Sequence, residues 1–327
     1  MNRFDYLAPE SLEAALAEVS CREGLTLLAG GTAITPLLKC GARKPFCLLD
    51  LGRIQDLKRV ATGEDGLYLG SMVPLVEVVE NPVIRQHLPA LSESARRVAS
   101  PQIRNQGTVG GNLLQERRCH YFNQSESWRG NISPCLQLGG DVCHQVPSSK
   151  TCRAIYYSDL APVLLAFDAV AEILDQNGAR NLSLQELIHD HVAGEKGKFI
   201  LKGILIPPFP PGTWGKFLKA GVRSAIDFAL ADVAVRYSPA PAQGKSPLIR
   251  IILGAVAPEP FYLEETARQL SILGNSTSRA DIFASALKEA EAKIAPIRET
   301  AVSASTKKQS LLILRRAMQE LLSVLSS

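Results

Sequence analysis

Apolar positions in the first fifty residues predict a helix, a strand, a second helix and a second strand, in that order. Leu12, Leu16 and Val19 are spaced to form one apolar face of a helix, and Pro9 suits the first turn of that helix. The other elements predicted here are a buried strand at 25–29, a short helix at 35–39 with Thr35 as its cap, and a strand at 46–50. This alternation predicts a small βαβ-type unit at the start of the chain.

Strands and helices continue to alternate as far as the proline-dense segment ILIPPFPP at 204–211, and we expect a domain boundary just beyond it. Asp159 opens a predicted helix that leads into a strand, and the Asn177-Gly178 pair predicts a hairpin at the end of that strand. The elements predicted beyond the boundary are strands at 231–237 and 248–255 and helices at 264–273, 279–295 and 311–325. The chain is therefore expected to form two domains, 1–213 and 214–327.

The composition is that of a folded protein, since 46% of the 327 residues are hydrophobic and 21% are charged. The net charge of +4 comes from 36 basic and 32 acidic residues without a long basic run, which argues against nucleic-acid binding. No apolar stretch approaches the roughly 18 residues of a membrane span, and the N-terminus has no apolar signal core, so we expect a cytoplasmic protein. In a reducing compartment, seven cysteines favour metal binding, redox chemistry or burial over disulfides.

Two glycine-rich segments have the composition of loops that approach an anion. The first, LAGGTAIT, lies between a predicted strand and a predicted helix, and the second, TVGGN, repeats the paired glycines about 80 residues later. Glycine lets the backbone come close to a ligand and turn its N–H groups toward phosphate. Neither segment is a GxGxxG fingerprint or a P-loop, and two ordinary turns remain the alternative. The candidate binding residues are Ala29, Gly30, Gly31, Thr32, Ala33, Ile34 and Thr35 in the first loop and Thr108, Val109, Gly110, Gly111 and Asn112 in the second.

One stretch with little regular pattern holds four of the seven cysteines, Cys119, Cys135, Cys143 and Cys152. Their spacing, C-x15-C-x7-C-x8-C, lacks the close CxxC pair of most structural zinc sites. Four thiolates can form a cage for either zinc or an iron–sulfur cluster. Nearby arginines would partly neutralise the negative charge of a thiolate-bound cluster, which favours an iron–sulfur cluster. The same residues are compatible with zinc, so a zinc site remains the alternative. We interpret the three remaining cysteines as small buried residues: Cys21, Cys40 and Cys47.

Three motifs occur in the order found in a known family. LAGGT, then PQIRNQGTVGGN, then SDLAPVLLAFDA resemble the FAD-binding medium subunit of the molybdenum hydroxylases, the xanthine dehydrogenase family. FLKAGVRSAIDFALADVAV and the tail KIAPIRETAVSASTKKQSLLILRRAM are similar to the C-terminal domain of that subunit. The resemblance implies an α+β fold, in which a two-subdomain FAD-binding domain at 1–213 precedes a smaller α+β domain at 214–327. The FAD-binding domain would combine the small βαβ-type unit with a larger mixed sheet.

The same resemblance implies which residues lie near the cofactor. Both glycine loops would surround the diphosphate of FAD, with Asp159 near the cofactor and Lys219 near the flavin ring. One position departs from the family, which usually reads GGTDL in the first loop, because Ala33 replaces the acidic residue. Binding through backbone N–H groups does not need that carboxylate, so FAD is still expected.

The cysteine-rich stretch forms an insertion, at about 115–156, that most members of the family lack. RCHYFNQSESWR and VPSSKTCRAI resemble the extra [4Fe-4S] loop in the flavin subunit of 4-hydroxybenzoyl-CoA reductase. The aldehyde oxidoreductase branch carries a cluster loop as well, but the QSxxWR part favours the reductase. The resemblance therefore implies a [4Fe-4S] cluster on the four cysteines of the insertion.

The implied function is electron transfer through FAD and one [4Fe-4S] cluster in a molybdenum-dependent oxidoreductase, first of all 4-hydroxybenzoyl-CoA reductase. Electrons from ferredoxin would pass through a partner's [2Fe-2S] centres to molybdenum, where 4-hydroxybenzoyl-CoA is reduced to benzoyl-CoA. The sequence shows no catalytic residues of its own, so a molybdopterin-containing large subunit and a [2Fe-2S] small subunit are expected, in a heterotrimer that dimerises to a heterohexamer. The alternatives are the flavin subunit of an aldehyde or xanthine-type hydroxylase and, more distantly, a zinc-stabilised assembly protein without redox activity.

Overall fold

The computed structural model describes residues 3–194, 197–240, 242, 245–273, 278–294 and 309–325, so the part of the predicted tail at 295–308 lies outside the described residues. The strands are β1 (Asp5–Leu7), β2 (Leu25–Leu28), β3 (Cys47–Asp50), β4 (Val60–Gly63), β5 (Gly66–Gly70), β6 (Val170–Asp175), β7 (Gly178–Ser183), β8 (Phe199–Ile206), β9 (Trp214–Ala220), β10 (Ala231–Ser238), β11 (Leu248–Gly254) and β12 (Phe261–Tyr262). The helices are α1 (Leu12–Cys21), α2 (Ile34–Lys39), α3 (Leu75–Glu80), α4 (Pro82–His87), α5 (Pro89–Arg96), α6 (Pro101–Gln106), α7 (Val109–Leu113), α8 (Glu126–Arg129), α9 (Leu160–Ala166), α10 (Leu184–Ala193), α11 (Glu264–Leu273), α12 (Arg279–Lys293) and α13 (Ile313–Leu325). None of these helices is long and apolar enough to cross a membrane.

The chain divides into two compact units, and neither is one continuous segment. The first unit comprises Met1–Glu77, Pro101–Ala154 and Asp168–Pro207, and the second comprises Val78–Ser100, Ile155–Phe167 and Pro208–Ser327. The stretches at 78–100 and 155–167, which the predicted boundary placed in the first domain, join the second unit because their helices α5 and α9 pack on its strands.

The N-terminal part of the first unit is a three-stranded parallel sheet in the order β1-β3-β2, with α2 between β2 and β3, as the predicted βαβ-type unit requires. Helix α1 begins at Leu12, where the Ser11 hydroxyl accepts a hydrogen bond from the backbone N–H of Ala14 at 3.2 Å. The prediction that Pro9 lies in the first helical turn is wrong, because Ser11 is the N-cap and Pro9 precedes it. Strand β1 was not predicted, since its three residues are too few to show a period.

The larger sheet of the first unit has five strands in the order β4-β5-β8-β6-β7. Every strand pair of this sheet is antiparallel, whereas the prediction was a mixed sheet. The hairpin between β6 and β7 turns at Asn177-Gly178 as predicted, and Gly178 has φ +108°, a conformation that L side chains rarely adopt. A core of Leu49, Ile54, Leu57 and Ile200 packs with the buried face of α1.

The second unit is built on an antiparallel sheet in the order β12-β11-β10-β9. Alternate side chains of β10 and β11 share an apolar core with helices α11, α12 and α13. On α13, Leu314, Met318 and Leu321 are buried along one stripe, which confirms the amphipathic pattern predicted for the final helix. The strands predicted at 231–237 and 248–255 are confirmed as β10 and β11.

Candidate functional site

The two glycine loops meet in the first unit. Gly30 follows β2 and lies so close to the segment before the second loop that an added Cβ would come within 1.6 Å of the carbonyl oxygen of Gln106. The N–H of Gly110 donates a hydrogen bond to the carbonyl oxygen of Ser71 at 2.7 Å, and an added Cβ would lie 2.9 Å from the Ser71 Cβ. Close approach of the backbone therefore requires glycine at both positions.

The second loop folds as the short helix α7 rather than as an irregular turn. The Thr108 hydroxyl accepts a hydrogen bond from the N–H of Gly111 at 3.1 Å and so caps this helix. Capping by threonine explains how two consecutive glycines, which are poor helix formers, are held in helical conformation here.

The first loop turns through Gly31, whose φ of +73° is the left-handed conformation that favours glycine. Helix α2 begins at Ile34, so the prediction that Thr35 caps it is wrong. Ala33 occupies the N-cap position, and its methyl group cannot accept a hydrogen bond. The residue that departs from the family sequence thus lies at the junction of the loop and the helix.

Both loops line one cavity of the first unit. The predicted residues that line it are Ala29, Gly30, Gly31, Thr32, Ala33, Ile34, Thr108, Gly110 and Gly111. Three other predicted loop residues, all within the described part of the chain, do not line it: Thr35, Val109 and Asn112. Since the N–H groups of Gly110 and Gly111 donate within the protein, the backbone N–H groups of the first loop are the ones that suit an anionic group such as a phosphate.

Sequence reasoning missed further residues at this cavity, among them Ser71, Gln115 and Glu116. Gln115 and Glu116 lie three and four residues after the second loop, so a wider window around TVGGN would have included them. Ser71 carries no comparable signal, because it follows β5 and is brought to the cavity by contact between distant segments, where its carbonyl oxygen accepts a hydrogen bond from the N–H of Gly110.

The four cysteines of the insertion line a second cavity of the first unit. Burial raises the pKa of the Cys119 and Cys152 thiols, and at Cys152 the positive charge of Arg117 opposes that rise. The described residues, which include all seven cysteines, do not hold three or more His, Cys, Asp or Glu side chains in a group that could bind a metal ion. The structure thus brings four thiols to one cavity without forming an ion cage.

Two arginines that were expected to neutralise a cluster instead bind backbone carbonyl groups. Arg129 donates hydrogen bonds to the carbonyl oxygens of Phe122 at 3.3 Å, of Gln124, and of Cys40 at 3.1 Å. Arg117 donates to the carbonyl oxygens of Cys152 at 3.0 Å and, across to the end of α10, of Val192 at 2.8 Å. Arg117 thus ties the two ends of the insertion to each other and to α10, and Arg129 ties the middle of the insertion to the residue that follows α2.

Aromatic side chains lie beside the cysteine cavity. Tyr121 and His144 line it and stack on each other, with ring centroids 5.1 Å apart. The ring of Trp128, on α8, lies 5.7 Å from that of Tyr121. A change inside the cavity should therefore be detectable in the fluorescence of Trp128.

The other three cysteines have different environments. Cys47 on β3 is buried and Cys40 is half-buried, which agrees with their interpretation as packing residues. Cys21 is exposed at the end of α1, so its interpretation as a buried residue is wrong, because the apolar face of α1 is formed by other positions.

Asp159 and Lys219 form a buried ion pair in the second unit. The Lys219 Nζ lies 2.7 Å from Asp159 Oδ2, and the two side chains are only 7% and 6% exposed. Lys219 also donates to the carbonyl oxygen of Arg97 at 2.9 Å. Burial raises the pKa of the Asp159 carboxyl, and the Lys219 ammonium opposes that rise. Charged side chains are almost never fully buried unless they are paired, and these two are paired with each other.

The fold and the glycine-lined cavity are typical of a protein that binds a phosphate-containing cofactor. Residues 2–209 match the family described as the FAD binding domain in molybdopterin dehydrogenase. The chain belongs to this family and is an FAD-binding subunit of the molybdenum hydroxylase type of oxidoreductase.

Individual relatives match between a third and nearly all of the chain. The aldehyde oxidoreductase FAD-binding subunit PaoB of Escherichia coli K12 is 32% identical over 304 residues, which cover 89% of this chain and 93% of that protein. Caffeine dehydrogenase subunit beta of Pseudomonas sp. strain CBB1 is 40% identical over 111 residues, or 34% of this chain and 38% of that protein. A carbon monoxide dehydrogenase chain from Hydrogenophaga pseudoflava matches with a TM-score of 0.76 at 24% identity, over 97% of this chain and 96% of that chain. At that identity the structural match concerns the fold, and it confirms the predicted α+β class.

Proposed function

We propose that this chain transfers electrons through FAD and a [4Fe-4S] cluster in a cytoplasmic, molybdenum-dependent aldehyde oxidoreductase. The observation that supports the aldehyde assignment is the 32% identity to an aldehyde oxidoreductase subunit across 89% of the chain. The substrate site would belong to a molybdopterin-containing large subunit, and a [2Fe-2S] small subunit would complete the complex. Bound FAD exchanges one or two electrons and so connects one-electron clusters to a two-electron reaction.

The FAD diphosphate is assigned to the glycine-lined cavity of the first unit. The close contacts of Gly30 and Gly110, where a Cβ would meet backbone or side-chain atoms, hold the two loops together. Because the N–H groups of Gly110 and Gly111 donate to Ser71 and Thr108, the phosphate is assigned to the N–H groups of the first loop. The cavity measures about 200 Å³, less than the roughly 300–1,000 Å³ of a complete ligand pocket, so it suits one part of FAD. Asp159 and Lys219 are assigned to the flavin end on the family resemblance alone.

The cluster is assigned to Cys119, Cys135, Cys143 and Cys152. Four cysteine thiolates are the usual ligands of a [4Fe-4S] cluster, and these four line one cavity although they are far apart in sequence. Fixation of the insertion by Arg117 and Arg129 would hold the ligands in place while the cluster is assembled.

Cofactor analysis of the full chain, purified without oxygen, tests both assignments. FAD, iron, acid-labile sulfide and zinc are measured per chain, and EPR spectra are recorded after reduction with dithionite. We expect one FAD, about four iron and about four sulfide, with the signal of a reduced cluster. Zinc without iron would overturn the cluster assignment and support the assembly protein, whereas failure to bind FAD after reconstitution would overturn the cavity assignment.

A second candidate is the flavin subunit of 4-hydroxybenzoyl-CoA reductase with ferredoxin as electron donor, which the resemblance of RCHYFNQSESWR to the loop of that enzyme favours. The two candidates differ in the reaction of the assembled complex. The complex purified with its partner subunits should oxidise an aldehyde in the presence of an electron acceptor if the first candidate holds. Formation of benzoyl-CoA from 4-hydroxybenzoyl-CoA with reduced ferredoxin, and no aldehyde oxidation, would establish the second.

A further inference from the structure

Glu116 and Gln137 connect the two cavities of the first unit. Glu116 lines the glycine cavity, whereas Gln137 and Cys152 line the cysteine cavity. Gln137 Nε2 donates a hydrogen bond to Glu116 Oε2 at 3.4 Å, and Gln137 Oε1 accepts one from the Cys152 thiol at 3.3 Å. One side-chain amide therefore bridges a carboxylate of the first cavity and a thiol of the second.

The orientation of the Gln137 amide follows from the acceptors around its nitrogen. Nε2 faces Glu116 Oε2 and also the carbonyl oxygen of Arg117, at 3.5 Å. An ionised carboxylate and a backbone carbonyl group can only accept hydrogen bonds, so a reversed amide would place its oxygen against two acceptors. The amide oxygen is thus the atom that faces Cys152, where the thiol supplies the proton of the hydrogen bond.

An ion pair holds Glu116 in place. Arg43 Nε and Arg43 Nη2 each lie 2.8 Å from Glu116 Oε1, and the other carboxylate oxygen accepts from Gln137. The Arg43 guanidinium also lies over the ring of Phe122, 5.2 Å from its centroid, and Phe122 lines the cysteine cavity. The carboxylate therefore cannot follow a rotation of the Gln137 amide without giving up its contact with Arg43.

Metal binding at Cys152 conflicts with this arrangement. A metal-bound cysteine is a thiolate, which has no proton to donate to Gln137 Oε1 and can only accept. The amide must either keep its oxygen against the negatively charged sulfur or turn its N–H groups from Glu116 to the sulfur. In both cases one charged group lacks a hydrogen-bond donor, and this weakens metal binding.

We infer that Gln137 and Glu116 are positioning residues that couple the two cavities, because metal binding at Cys152 competes with the hydrogen bond between them. The inference rests on the proposed function, in which Cys152 is a ligand of the cluster. It deepens that function, since the state of the cysteine cavity then changes the hydrogen bonding of a carboxylate that lines the glycine cavity. A coupling of this kind acts in both directions.

Titration of the full chain with Cd²⁺ tests the coupling. The chain is freed of FAD and iron and kept reduced, and binding is followed by the ultraviolet absorption of cadmium–thiolate bonds. Glu116→Gln should tighten Cd²⁺ binding roughly 10- to 150-fold, because an amide at this position can donate to the reversed Gln137. The matched control is Glu126→Gln, which removes a carboxylate of the same insertion that pairs with Lys44 and should leave the affinity unchanged.

A double variant separates the hydrogen bond from the charge of Glu116. In a Gln137→Leu background, Glu116→Gln should no longer change the affinity for Cd²⁺, since the connecting amide is missing. The same tightening with and without Gln137 would mean that the carboxylate acts through its charge alone, and would overturn the inference. If Gln137→Leu does not fold, Cys152→Ser removes the thiol at the other end of the amide and should abolish the effect of Glu116→Gln in the same way.

The effect on the glycine cavity is measured with FAD. The Kd for FAD should differ between the Cd²⁺-free and the Cd²⁺-loaded wild type, and Gln137→Leu should remove the difference. Equal Kd values in the wild type would overturn the coupling of the two cavities.

The outcomes distinguish the inference from the proposed function. Equal Cd²⁺ affinities of the wild type and Glu116→Gln, in a chain that binds FAD and assembles its cluster, would overturn the inference and leave the proposed function. The expected Cd²⁺ affinities in a chain that assembles no iron–sulfur cluster would overturn the cluster assignment and leave the coupling. A chain whose cysteines bind no Cd²⁺ would overturn both.

Discussion

A single methyl group at Gly30 should separate the two glycine loops and weaken FAD binding. The added Cβ would lie 1.6 Å from the carbonyl oxygen of Gln106, whereas carbon and oxygen atoms that are not bonded approach to about 3.3 Å, so the loops must move apart by roughly 1.7 Å. A shift of that size takes a phosphate oxygen out of hydrogen-bonding range of the N–H groups of one loop. A hydrogen bond to a charged group contributes about 1.5–3 kcal/mol, so loss of one should raise the Kd for FAD roughly 10- to 150-fold.

Titration of the deflavinated full chain with FAD, followed by the change in flavin fluorescence, measures this effect. The matched control is Gly63→Ala in the exposed part of β4, where an added Cβ meets no atom within 4 Å and the Kd should not change. Circular dichroism establishes that both variants are folded. If folded Gly30→Ala binds FAD as tightly as the wild type, the diphosphate does not lie between the loops.

Three further predictions concern the insertion. Cys143→Ser should abolish the bound iron and sulfide, whereas Cys21→Ser at the exposed end of α1 should not, and equal iron contents would exclude Cys143 as a ligand. The fluorescence of Trp128 should fall when the cluster is assembled, and an unchanged signal would place the cluster elsewhere. Because the chain has two tryptophans, the measurement uses a Trp214→Phe background. Phe122→Ala should lower the free energy of unfolding by about 3–5 kcal/mol, since Phe122 has 0% exposure, and a loss below about 1 kcal/mol in urea unfolding would contradict its role in the core.

Long apolar patterns made much of the fold predictable. The alternation along β10 and the apolar stripe of α13 each have many positions that agree, so their element types follow from the sequence. Helix starts were less predictable, because a serine or an alanine one or two residues away can take the N-cap position from the residue that looks suitable. Ala33 takes the N-cap position predicted for Thr35, and α1 begins only after the N-cap Ser11, beyond the Pro9 that was predicted in its first turn.

The candidate sites were predictable to the extent that unusual residues mark them. Two separate pairs of glycines and a cluster of cysteines are distinctive in a chain of ordinary composition, and the structure brings each set to a cavity. Ser71 was not predictable, because contact between distant segments brings it to the glycine loops.

Helix α2 connects the two cavities of the first unit and explains where the insertion lies. Leu37 of α2 lines the glycine cavity and belongs to the same apolar cluster as Phe122 and Cys119 of the insertion. Arg129 of the insertion donates to the carbonyl oxygen of Cys40, directly after the same helix. Because a close-packed interior does not allow its parts to shift independently, the cysteine cavity is held at a fixed distance from the glycine cavity. The insertion is therefore packed against the helix that lines the glycine cavity, and is not a separate addition to the surface.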